Sequence, residues 1–175
     1  MSRPARDAER LLLGEWACLG VLAMGPTHGF AIASRLRPDA DLGRIWSLSR
    51  PLTYRAIEQL LKHGYAEPVG EEPGIAGGTR TILAITDSGR TALREWLHRP
   101  AIHLRDLRSE LLLKLQLAAS LGIEASALVD AQRRVVTETH RSLLTHLREQ
   151  PDDIVTQWRL ETADAALRFL DALTR

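Results

Sequence analysis

Arg50, Tyr54, Arg55 and Lys62 bring three cations and a phenol to one stretch of chain, Trp46 to Tyr65, that is patterned as a helix. Guanidinium and ammonium groups neutralise phosphates, and a guanidinium fork also fits the acceptor edge of a base. The chemistry offered is therefore recognition of a polyanion, provided a helix holds these groups on its outer side. Ser49 is placed to be an N-cap, Pro51 sits in the first turn, and Gly64 follows Lys62 and His63 as a left-handed stop, so residues 46 to 65 read as one capped helix. At about 100° per residue, Thr53, Ile57, Leu60 and Gly64 line one stripe, and Pro51, Tyr54, Arg55, Glu58 and Lys62 lie on or near the other side. Only one stripe can pack inward.

Bulk charge gives no independent argument for nucleic acid, because the formal net charge of the 175-residue chain is +1. Placement matters more: residues 1 to 65 hold nine Lys or Arg against six Asp or Glu, and Lys62 and Lys114 are the only lysines. With 45% hydrophobic and 26% charged residues, the profile is that of a soluble globular protein of one domain or two small ones. The single cysteine, Cys18, lies in an apolar helical run, so a buried inert thiol and a reducing cytoplasm are expected. No run approaches the ~20 apolar residues of a membrane span, and the charged N-terminus has no clean apolar core with a cleavage site.

The elements around the basic stretch follow from periodicity and punctuation. Residues 9 to 24 read as a first helix ended by Gly25-Pro26, and Thr27-His28-Gly29 opens a short second helix, Phe30 to Leu36, with Phe30 among its apolar residues. A loop from Asp39 to Leu48 leads to the basic helix, and three helices in this order make a helix-turn-helix whose last member reads DNA. Strand-like segments then flank a loop, Gly70 to Gly78, giving a wing hairpin whose second strand is Thr79 to Ile85. Thr86 caps a fourth helix that runs through Trp96 and is closed by Pro100.

After the linker at residues 101 to 105, helical patterns cover Asp106 to Leu121, Glu124 to about Glu149, and Asp152 to Leu173, with Pro151 between the last two. The broad apolar stripe of this hairpin, with little other protein to cover it, predicts pairing with a second copy. The expected fold is mainly α with a small β wing: a winged helix-turn-helix over residues 1–100 and a C-terminal helical dimerisation domain over 101–175. Arg80 sits where a wing enters the minor groove, and an ordinary exposed strand residue is an equal account of it.

Four segments together resemble the PadR family of bacterial transcriptional regulators, winged-helix proteins with a helical dimerisation tail. They are Leu19-Gly-Val-Leu-Ala-Met-Gly-Pro-Thr-His-Gly-Phe30, Leu52-Thr-Tyr-Arg-Ala-Ile-Glu-Gln-Leu-Leu-Lys-His-Gly64, Ile85-Thr-Asp-Ser-Gly-Arg-Thr-Ala-Leu-Arg-Glu-Trp-Leu97 and Arg108-Ser-Glu-Leu-Leu-Leu-Lys-Leu115. The last is similar to the start of the longer tail found in one branch. Two positions depart from the family pattern: Leu52-Thr53 reverses its usual polar-then-aliphatic order, and Leu83 stands where the wing usually carries an aromatic. The resemblance implies a DNA-binding regulator, a homodimeric repressor on a palindromic operator, with Tyr54 on the DNA backbone, Arg55 beside it and Leu52 against a thymine methyl.

Because relatives in that family respond to phenolic acids or drugs, the resemblance also implies a small aromatic effector. Core packing is the simpler account of Trp16, Trp46, Trp96 and Trp158, and Trp96, just before the linker, is the one the effector reading singles out. No cofactor or metal is expected: His140 and His146 are six apart and face away from each other on a helix, and cysteine pairs are absent. Nor is an enzyme, since no Gly-rich phosphate loop follows a strand, no nucleophile elbow appears, and Asp152-Asp153 reads as helix N-terminal charge. The competing class is a winged-helix module that uses its exposed helix to bind a protein rather than DNA.

Overall fold

A computed structural model describes residues 11–74 and 78–174. The order is α1 (Leu13–Met24), β1 (Thr27–His28), α2 (Gly29–Arg35), α3 (Arg50–Lys62), β2 (Ala66–Pro73), β3 (Thr79–Ile85), α4 (Asp87–His98), α5 (Leu112–Leu121), α6 (Ser126–Glu149) and α7 (Ile154–Ala172). This is a winged helix-turn-helix followed by a helical tail, mainly α with one small antiparallel sheet in the order β1-β3-β2. No helix among the described residues is long and apolar enough to cross a membrane.

α1 is apolar on nearly every side, and Gly14 to Leu22 are all buried, which makes it the central helix of the winged unit. Glu15 Oε2 accepts the Leu12 N–H at 2.7 Å and so satisfies one free donor of the first turn. Cys18 is fully buried on this helix; burial pushes its thiol up to about 12, with the charge of Glu15 adding to the effect. It is an inert core residue. Leu113 and Leu117 of α5 enter the same core, while Leu111, Leu128, Val129, Val136, Leu143, Ala163 and Leu170 form a second one in the tail.

Several boundaries differ from the sequence expectation. The first residues of the helix expected from residue 9 and residues 75–77 of the expected wing loop lie outside the described residues. The basic helix starts at Arg50 rather than Trp46, which lies in a bend followed by three residues of irregular backbone. Thr27 and His28 do not open a helix but pair with Leu83 and Ile82 as a third strand, leaving the His28 ring to cap α2. β2 continues through Gly70 to Pro73, a stretch whose sequence reads as loop, because β2 is an edge strand among the described residues and its outer side tolerates Pro68 and Pro73. Asp106 to Leu121 is not one α-helix: a 3-10 turn (Leu104–Asp106) and a π turn (Leu107–Leu111) precede α5. α7 begins two residues after Asp152, with Asp153 as its N-cap accepting the Val155 N–H at 3.0 Å.

Candidate nucleic-acid interface

The inner face of α3 is Thr53, Ala56, Ile57 and Leu60, all buried, so sequence and structure agree on which stripe packs inward. Ser49 occupies the N-cap in extended backbone, yet its side chain makes no capping bond; its carbonyl instead accepts the Thr53 hydroxyl at 3.1 Å. The C-terminal end is tighter. Gly64 has φ 68°, and the N–H groups of Tyr65 and Gly64 return to the carbonyls of Leu60 and Leu61 at 2.9 and 3.0 Å, a paired closure that needs a left-handed residue. The Gly64 carbonyl then accepts the hydroxyls of Thr86 at 2.7 Å and Ser88 at 2.9 Å, which ties the end of α3 to the start of α4.

Burial of one stripe leaves Arg50, Leu52, Tyr54, Arg55, Glu58 and Lys62 facing solvent. The structure thus brings five of the six expected site residues onto one helix, and it sets Arg80 beside them from β3. Tyr54 lies against the start of α2: a Cβ on Gly29 would sit 2.8 Å from its Cε1, so only glycine leaves room for the ring. Leu52 and Arg55 border a cleft of about 860 Å³ shared with Trp46 and Leu48, and Tyr54 and Arg80 border another of about 420 Å³ between α3 and the wing.

Arg80 is half-buried rather than extended from the wing. His28 Nδ1 accepts the Ala31 N–H at 3.1 Å, so in the neutral ring Nε2 carries the proton and donates to Glu72 Oε1 at 3.2 Å. Arg80 lies directly across from Glu72 in the hairpin register, with one terminal nitrogen 3.4 Å from His28 Nε2. Both nitrogens are then donors, and the contact is not a hydrogen bond. Arg50, Arg55, Lys62 and Arg80 have no carboxylate partner among the described residues. The resulting face is cationic, apolar in places, and spans helix and wing.

Sequence reasoning missed Phe30. The first turn of α2 holds it 44% exposed, with the guanidinium carbon of Arg50 4.7 Å from its ring centroid and that of Arg80 at 5.6 Å. A helical period groups Phe30 with Ile32, Ala33 and Leu36 but cannot say that nothing packs opposite the first turn.

Trp96, the expected effector residue, is buried. It stacks on Trp16 with ring centroids 4.9 Å apart and planes 7° apart, and Lys114 Nζ lies 4.7 Å from its centroid. Among the described residues no group of three or more His, Cys, Asp or Glu side chains is placed to hold a metal ion.

No family model matches the chain, and no curated protein matches it. Among solved structures it is similar to a crystal structure of Bacillus subtilis PadR in complex with operator DNA, at 20% identity over 91% of this chain and 95% of that one, with a TM-score of 0.47.

Proposed function

We propose that the protein is a DNA-binding transcriptional regulator of the PadR type, a homodimeric repressor that reads a palindromic operator. One observation carries this reading: a capped helix buries Thr53, Ile57 and Leu60 and turns Arg50, Leu52, Tyr54, Arg55 and Lys62 outward, beside Arg80 of the wing, with no carboxylate paired to those cations among the described residues. A protein-binding face gains little from a row of unpaired cations, whereas duplex DNA releases condensed counterions for each phosphate they neutralise. The motif resemblance of residues 19–30, 52–64 and 85–97 supports the same reading.

Homodimerisation is supported by the outer face of α7, where Ile154, Val155 and Trp158 are 75, 62 and 73% exposed and Phe169 and Leu173 extend the stripe. An operator read by such a two-fold dimer has half-sites about 34–36 Å apart. The finer reading of a small aromatic effector at Trp96 has the junction of α1, α4 and α5 in its favour. Such a ligand has to part Trp96 from Trp16 or Lys114, and it releases DNA only by its differential affinity for the DNA-competent and incompetent arrangements, which links the two bindings thermodynamically.

Fluorescence anisotropy with duplex DNA over a range of salt tests the function directly. Affinity that falls linearly on a log–log plot with salt is expected, and protein with no salt-dependent duplex affinity would leave the winged unit as a protein-binding module. Aromatic acids and drugs, screened by tryptophan fluorescence and operator release, test the effector; unchanged affinity and release in a Trp96→Phe variant would move its site elsewhere.

A further inference from the structure

Two guanidiniums from distant parts of the chain, neither paired with a carboxylate among the described residues, converge on one half-exposed aromatic ring. Arg50 belongs to the first turn of α3 and Arg80 to the wing strand β3, and Phe30 stands on α2 between them. Like charges brought together repel, and the wing carboxylate nearest in register, Glu72, is bonded to His28. The negative face of the phenyl ring is what the structure offers both cations. An arginine on an open surface otherwise samples many rotamers, and ordering it is part of the cost of binding.

On the DNA-binding reading, we propose that Phe30 is the positioning residue of the interface: its ring holds Arg50 and Arg80 as a pair, so that helix and wing meet one stretch of phosphate backbone together. Phe30 need not itself touch DNA. The ring removes the rotamer search from both arginines before binding, and it links the helix start to the wing strand.

A double-mutant cycle with a readout on the free protein tests this. Phe30→Leu keeps bulk without a π face and alters a half-exposed position, so its melting temperature should stay near that of wild type. Its duplex affinity should fall about 5- to 30-fold, the cost of ordering on binding two arginine side chains that the ring no longer holds, with the salt slope unchanged because no charge is removed. Truncating Arg50 or Arg80 to Ala should then cost less in the Phe30→Leu background than alone, and Phe30→Tyr should restore affinity. Without DNA, the Hδ resonances of Arg50 and Arg80 should show an upfield ring-current shift that Phe30→Leu abolishes. Additive losses, failed rescue by tyrosine, or absence of the shift in a wild-type protein that binds duplex would each overturn the assignment. Wild type with no salt-dependent duplex affinity would instead overturn the DNA-binding reading, and this assignment with it.

Discussion

The side-chain amide of Gln132 pairs with both backbone groups of Ala101, Nε2 donating to the carbonyl at 2.8 Å and Oε1 accepting the N–H at 2.7 Å, across 31 residues of chain. Both residues are buried. Ala101 follows Pro100 in a linker that belongs to neither helix nor sheet, so its peptide groups have no ladder to join, and α6 supplies the partners through one side chain. Gln132→Leu keeps much of the volume and orphans one buried donor and one buried acceptor. Each is worth about 1–3 kcal/mol, so urea denaturation should show a loss of about 2–6 kcal/mol. A loss below about 1 kcal/mol would mean that the linker re-pairs with water.

Lys114 is fully enclosed, donating to the Arg99 carbonyl at 2.6 Å and to Glu110 Oε1 at 2.5 Å while lying over Trp96. Burial holds its pKa below the ordinary lysine value of 10.5, with the Glu110 bond opposing that shift. Between the lowered folded value and 10.5 the unfolded chain binds the extra proton, so folding stability rises with pH through that window. Below the window the whole cost of burying the cation is present. Wild type should therefore gain stability relative to Lys114→Met as pH is raised towards 10.5, measured by denaturant midpoints at matched pH. A gap that moves in the opposite direction would refute the sign.

Much of the candidate interface was legible because local chemistry dictates which side chains face outward. Pro51 and Gly64 bracket α3, and spacing alone separates the buried Thr53, Ile57 and Leu60 from Tyr54, Arg55 and Lys62. What escaped depends on partners distant in sequence. Thr27–His28 is a strand only because Leu83 and Ile82 offer it an edge, and Gly70 to Pro73 reads as loop until the register pairs Glu72 with Arg80. Trp158 lies on the apolar side of a helical pattern, yet the helix turns it to solvent; periodicity finds a stripe without saying whether this chain covers it.

That uncovered stripe predicts the assembly. Val155, Trp158, Phe169 and Leu173 fall within roughly 60° of arc on α7 at 100° per residue, a seam suited to a second helix. Light scattering at micromolar concentration should give a dimer for wild type and a monomer for Trp158→Asp. Helical content should be unchanged, because the exposed ring contributes little to the fold of one chain. A wild-type monomer would sink the proposal, as would a variant that stays dimeric when Val155→Asp is added.

Variants at Arg55 and Tyr54 test the proposed recognition apart from folding, since both lie off the buried stripe and neither anchors a core. Arg55→Ala and Tyr54→Ala should weaken operator binding while leaving the melting temperature near that of wild type. The manner of loss distinguishes their contacts. A residue on phosphate should weaken binding on every sequence and flatten the salt slope by about one, whereas a residue on a base edge should relax specificity by about 1–3 kcal/mol. Tyr54→Phe removes only the hydroxyl and keeps the ring against Gly29, so a phosphate bond from that hydroxyl should cost about 1.5–3 kcal/mol on all sequences. Leu52→Ala carries no charge change; if Leu52 packs on a thymine methyl, it should lower the preference for thymine at one position and leave the salt slope intact. Titrations in which neither the Arg55 nor the Tyr54 variant differs from wild type on operator DNA would remove α3 as the reading helix.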